Sequence, residues 1–164
     1  MEERLRAKLV DYVQDAHAME LNVEVMLASM IASSPDASMR RMLRAHQTET
    51  KRHISRMERR LAALGSGRSL RKTGQAITMA VPKGLVDQVR GDKPGKIARD
   101  AYVTEALEIA AYSLLVELAL RCGDRATAAA ARANRADEER MAARIEKTWA
   151  SAIDRTLADA GLAA

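Results

Sequence analysis

The chain has no phenylalanine, one tryptophan and three tyrosines in 164 residues, so aromatic side chains make up only 2% of it. Sheets draw on aromatic and β-branched residues, and their scarcity argues against an all-β or mixed core. The lone cysteine, Cys122, excludes an internal disulfide and points to a reducing compartment, so a cytoplasmic location is expected. No stretch approaches the roughly 20 apolar residues of a membrane span, and no apolar run follows a basic start, so no membrane contact is expected. Gly65-Ser66-Gly67 lacks the lysine and the spacing of a phosphate-binding loop. No Ser/His/Asp arrangement stands out, and Cys122 has no histidine close to it in sequence, which leaves hydrolytic readings unsupported.

What the chain does have is alanine, leucine, arginine, glutamate and nine methionines, a helix-forming composition in which methionine fills the core. Its length suits one domain. Turn residues divide it into helices at about 3–32, 36–64, 96–122 and 125–150. Ser34 is the expected N-cap of the second helix with Pro35 at its first position, and Gly65 ends it. Gly123 closes the third helix and Asp124 caps the fourth, whose pattern allows a break into a short fifth helix before Gly161. The segment 65–95 holds most of the glycines, and 77–89 within it is a candidate short helix broken at Pro82. Short links join the first two and the last two helices, so each pair should be an antiparallel hairpin. The middle link of about 30 residues far exceeds the usual 2–8. Two hairpins joined by one long crossover predict a ferritin-like four-helix bundle.

Each predicted helix carries acidic or histidine residues on the stripe that should face the core. The stripes are Leu9, Val13, Ala16, Glu20, Val23, Leu27, Met30; then Met42, His46, Glu49, His53, Met57, Leu61, Leu64; then Ala98, Ala101, Glu105, Glu108, Tyr112, Leu115, Ala119; and Ala131, Asn134, Glu138, Met141, Ile145. All advance in steps of three and four, the repeat of one helix face. A single glutamate on such a stripe is often at its edge, with its carboxylate in water. Four helices doing so together favour a metal ion, because a buried carboxylate is costly unless paired or bound to a cation. Di-iron bundles take one glutamate from each of two helices and a Glu-x-x-His pair from each of the others. On that pattern Glu20, Glu49, His53, Glu105, Glu108 and Glu138 are the expected ligands of an iron or manganese pair or a single metal ion. Behind them stand His46, Tyr112 and Glu139, His46 as a hydrogen-bond partner of Glu49 or Glu105. Tyr12 is expected near the core face and His17 off the stripe and exposed.

The strings Asp15-Ala16-His17-Ala18-Met19-Glu20-Leu21, His46-Gln47-Thr48-Glu49-Thr50, Glu105-Ala106-Leu107-Glu108-Ile109-Ala110-Ala111-Tyr112 and Asp137-Glu138-Glu139 resemble the YciE/YciF family of ferritin-like bacterial stress proteins. The resemblance covers nearly all of the four helices. It implies a rubrerythrin-type bundle that forms a homodimer and accumulates under stress, without implying a settled reaction. The chain departs from the di-iron pattern in having no literal Glu-x-x-His: Arg52 lies three residues after Glu49, and Met141 and Ala142 follow Glu138 and Glu139 at that spacing.

Charge is uneven. Between Ser66 and Arg99 eight basic residues face two acidic ones, a net +6 that exceeds the +5 of the whole chain. Such a segment, 66–99, can contact nucleic acid through phosphates, although it has no aromatic residue for base stacking. Two readings of function follow. In one, the bundle holds iron or manganese and oxidises Fe(II) or consumes peroxide or dioxygen. In the other, the metal site is degenerate and the protein is a helical dimer that binds a partner or nucleic acid.

Overall fold

The computed structural model describes residues 2–34, 36–66 and 93–162. Among them the chain forms α1 (Glu2–Ser33), α2 (Ala37–Ala63), α3 (Lys93–Arg121), α4 (Arg125–Glu146) and α5 (Trp149–Asp159), with no strand. No helix among the described residues is long and apolar enough to cross a membrane.

Side-chain contacts fix the directions of the four long helices. In the first hairpin Arg6 reaches the Leu64 carbonyl, His17 meets Glu58 and Lys51 meets Glu24, so α1 and α2 run antiparallel. In the second, Tyr102 bonds Glu146 and Asn134 bonds Tyr112. Across the hairpins Thr104 touches Met26 and Tyr112 bonds Glu20, while Arg60 pairs with Asp124 and Arg56 with Asp137. Thus α1 is antiparallel to α3, and α2 to α4. α2 and α3 therefore run parallel, with Ser66 and Lys93 at opposite ends of the bundle, the topology that requires a long crossover. This is the ferritin-like four-helix bundle expected from the sequence. The candidate helix at 77–89 and most of the basic segment 66–99 lie outside the described residues.

Three boundaries differ from expectation. Asp36, not Ser34, caps α2: its carboxylate accepts from the Ser38 amide at 2.9 Å and the Met39 amide at 3.2 Å, satisfying two orphan donors with one charged group. α3 starts at Lys93 rather than at 96, because Pro94 falls in the first turn, where no amide hydrogen is needed. Gly95 lets α3 approach α5 closely, since a Cβ there would stand 3.3 Å from Thr156 Oγ1. At the far end α4 breaks at Thr148, whose hydroxyl bonds the Ile145 carbonyl at 2.7 Å, and α5 folds back onto α3.

The core is not continuous. Leu9, Val13, Met57, Leu61, Leu115 and Ala119 are among the residues of one apolar block, and Val23, Leu27, Leu43, Ile97, Met141 and Ile145 are among those of another. Between the two blocks lies a layer of fully buried polar side chains: Glu20, His46, His53, Glu105, Glu108, Asn134 and Glu138.

Candidate metal centre

α1 sends Glu20 into this layer, α2 sends His46 and His53, α3 sends Glu105 and Glu108, and α4 sends Glu138. Two groups of potential ligand atoms form, His46 with Glu105, Glu108 and Glu138, and Glu20 with His53 and Glu138; within each group the atoms lie inside 4.8 Å of one another. Glu138 belongs to both. Its Oε2 stands 3.5 Å from His46 Nε2 and its Oε1 2.8 Å from His53 Nδ1, so one carboxylate spans the two groups. His46 Nε2 also lies 3.2 Å from Glu105 Oε1, and His53 Nδ1 3.2 Å from Glu20 Oε1.

The electrostatics are those of crowded, dry acids. Both oxygens of Glu108 and of Glu138, one each of Glu20 and Glu105, His53 Nδ1 and both nitrogens of His46 lack a hydrogen-bond partner. Burial pushes the Glu20 carboxyl up, and the charge of Glu138 adds to this against the pull of His53 and Tyr112. Burial raises Glu105 to about 7. Glu108, the most enclosed, is raised well above the ordinary carboxylate range by burial and then by the charges of Glu138, Glu20 and Glu105. Burial opposes a charged imidazole, yet the adjacent carboxylates of Glu105 and then Glu138 raise His46 to about 9. Against the same opposition Glu138 and Glu20 raise His53 to about 10. Without a cation, protons are what hold this layer together.

The surroundings orient the cluster. The Tyr112 hydroxyl donates to Glu20 Oε1 and accepts from Asn134 Nδ2 at 2.8 Å. Burial, followed by the charge of Glu20, pushes the Tyr112 phenol well above its ordinary value, so it stays a donor. His53 Nε2 lies 3.0 Å from Asp137 Oδ2. Arg56 Nη1 also reaches Asp137, at 3.2 Å, and Arg140 pairs with its other oxygen.

Of the residues singled out in the sequence, the structure brings together Glu20, His53, Glu105, Glu108 and Glu138, with Tyr112 beside Glu20. His46 and Glu49 exchange places. His46, expected behind the ligands, is fully buried with Nε2 in the cluster, whereas Glu49 stands at its edge, 3.5 Å from His46 Nδ1 and 3.5 Å from Arg52. The reason is helical phase: His46 and His53 are seven residues apart and about 20° out of register, while Glu49 lies about 60° away from His46. Glu139 is exposed and pairs with Arg135, turned out by the same rotation that turns Glu138 in. His17 is buried against Glu58 rather than exposed, and Tyr12 is exposed rather than at the core. Asp137 was not singled out as a site residue. Its signal was a position one step before a core-stripe glutamate, on the flank that faces α2.

Oxygen and imidazole donors from all four long helices, two sets sharing one bridging acid, define a ferritin-like bundle with a buried site able to hold a metal ion. The chain belongs to the family described as a domain of unknown function, DUF892, whose pattern matches residues 4–158. Among solved structures it is similar to a protein from Xanthomonas campestris pv. campestris, with 25% identity, a TM-score of 0.78, and coverage of 97% of this chain and 99% of that one. A putative structural protein of Rhodopseudomonas palustris, YcfI, matches at 21% identity and a TM-score of 0.73 over 87% of this chain and 92% of its own. The E. coli stress protein YciF matches at 16% identity and a TM-score of 0.69 over 92% and 97%. The last two likenesses carry the fold.

Proposed function

We propose that the protein is a cytoplasmic stress-associated protein that binds two divalent iron or manganese ions between the apolar blocks of its bundle, and acts on Fe(II), peroxide or dioxygen there. The observation that carries this reading is the set of buried, unpartnered donor atoms, with Glu108 fully enclosed and both of its oxygens unsatisfied. Such atoms are costly to bury and are satisfied by a cation. Glu20, Glu105, Glu108 and Glu138 would supply four negative charges, the sum that two divalent ions neutralise, with neutral His46 and His53 as remaining donors. No thiol stands among them, which suits iron or manganese better than softer ions. Such ions, once bound, supply redox capacity and an open coordination position. The chain's part is to hold the donors apart, keep water out through the two apolar blocks, and keep Glu20 oriented through Tyr112 and Asn134.

Anaerobic Fe(II) titration followed by air or peroxide tests this reading. Uptake of about two irons per chain and ferric absorbance growing faster than in buffer support it. No retained metal overturns it.

A homodimer along the flank shared by α1 and α3 belongs to the same proposal. Val103, Leu107 and Leu114 of α3 are exposed by 45%, 49% and 59%, an apolar stripe of the kind that marks a protein contact. Tyr12 extends it on α1, being seven residues from Met19 and fourteen from Met26, the side chain that touches Thr104. Light scattering should give twice the chain mass, and Leu107→Glu with Leu114→Glu should halve it.

A further inference from the structure

Both imidazoles of the cluster turn one nitrogen inward and leave the other facing an acid outside it. His53 presents Nδ1 to Glu138 and Glu20, and Nε2 to Asp137 at 3.0 Å. His46 does the reverse, presenting Nε2 to Glu105 and Glu138, and Nδ1 to Glu49 at 3.5 Å. We propose that Asp137 is a positioning residue that fixes His53 as a metal ligand through Nδ1, and that Glu49 fixes His46 as a ligand through Nε2. The two halves of the centre thereby take opposite nitrogens. The proposal rests on the metal-binding reading.

A neutral imidazole has one N–H. An acceptor placed at one nitrogen holds the hydrogen there and leaves the lone pair at the other for a metal. On α2 the two histidines are two turns apart at nearly the same phase, so the helix does not by itself decide which nitrogen faces the ion. The acids do, and they come from different places. Asp137 is supplied across the bundle by α4, while Glu49 sits on α2 itself, one turn after His46.

The two acids hold with unequal firmness. Asp137 is gripped on both oxygens, by Arg56 at 3.2 Å and by Arg140, and Arg56 is itself fixed by Asn134 Oδ1 at 2.8 Å. Rotating its carboxylate away from His53 would break its pairing with both guanidinium groups. Glu49 stands 3.5 Å from both His46 Nδ1 and Arg52 without a hydrogen bond to His46, and its side chain keeps 18% exposure. The Nδ1 mode of His53 is therefore the firmly set half of the pair.

Zinc(II), a diamagnetic probe, tests this in the full chain by long-range proton–nitrogen correlation spectra of the imidazoles. His17→Gln removes the ring outside the cluster and leaves two, which His46→Gln assigns. The expected result is one ring metal-bound at Nδ1 with hydrogen on Nε2, belonging to His53, and one with the reverse pattern, belonging to His46. Asp137→Asn should lower zinc affinity by about 10–100-fold and disturb the His53 pattern while leaving that of His46. Glu49→Gln should do the same to His46, more weakly. Zinc bound through Nε2 of both rings, or an Asp137→Asn protein with unchanged affinity and unchanged His53 signals, overturns the proposal alone. Failure to take up zinc at all overturns the metal-binding reading together with it.

Discussion

Tyr112 of α3 donates its hydroxyl hydrogen to Glu20 of α1, and the same oxygen accepts from Asn134 of α4. One phenol thus links three helices at the edge of the buried acid layer. Tyr112→Phe removes both bonds and leaves the Asn134 amide and a Glu20 oxygen unsatisfied. The metal-free protein should lose about 1–3 kcal/mol in a denaturant melt. A Tyr112→Phe protein as stable as the parent would show that the link carries no energy.

Glu108→Gln separates stability from binding. The Glu108 carboxyl is fully buried, held far toward its neutral form, and has no partner on either oxygen. A neutral amide of the same shape should leave the metal-free bundle as stable or more so, while metal affinity falls by at least about 10-fold. Equilibrium dialysis against Mn(II) and a thermal melt read the two effects. A less stable protein with undiminished affinity would contradict this account.

The fold was legible because it rests on spacing and punctuation. Glycines at 65 and 123, both at positive φ, mark helix ends that any chain would need, and the long middle link selects the topology. The donors on the stripe midlines, Glu20, His53, Glu105, Glu108 and Glu138, were legible for the same reason. Choosing between His46 and Glu49 needed the seven-residue interval between His46 and His53, which outranks similarity to the Glu-x-x-His pattern. Asp137 and His17 were not legible in this way. Each sits on a helix flank, and it is the neighbouring helix, through Arg56 or Glu58, that decides whether the flank is dry.

Stability should fall as pH rises while the site is empty of metal. His46 and His53 hold protons to about 9 and about 10 in the native bundle against an ordinary value of 6.5. Across that interval the native state binds more protons than the unfolded chain, so raising pH favours unfolding. This contribution is whole below 6.5 and gone above about 10. Glu105, raised from 4.5 to about 7, adds a loss of the same sign between those values. The urea midpoint of metal-free protein should therefore be lower at about pH 9.5 than at about pH 6. With Mn(II) present the added stabilisation should grow over the same interval, since the metal displaces protons. A midpoint that rises with pH in chelator would be incompatible with the protonated cluster.

Gly95→Leu should lift α5 from the bundle. The Gly95 amide donates to Thr156 Oγ1 at 3.1 Å, and a Cβ would already stand 3.4 Å from Ile153 Cδ1. A branched side chain has no room there and should cost about 1–3 kcal/mol. Trp149, the single tryptophan, packs edge-on against Tyr102 with ring centroids 5.4 Å apart, so its emission should shift. Unchanged emission and stability would mean that the close approach is dispensable.

The donors are divided between the two hairpins: Glu20, His46 and His53 come from the first half of the chain, and Glu105, Glu108 and Glu138 from the second. Neither half carries a complete set. An ion bound among them would act as a non-covalent cross-link between helices far apart in sequence, whose ends cost the most entropy to bring together. The strength of that tie, and not only the chemistry at the ion, is then set by how much metal the surroundings offer.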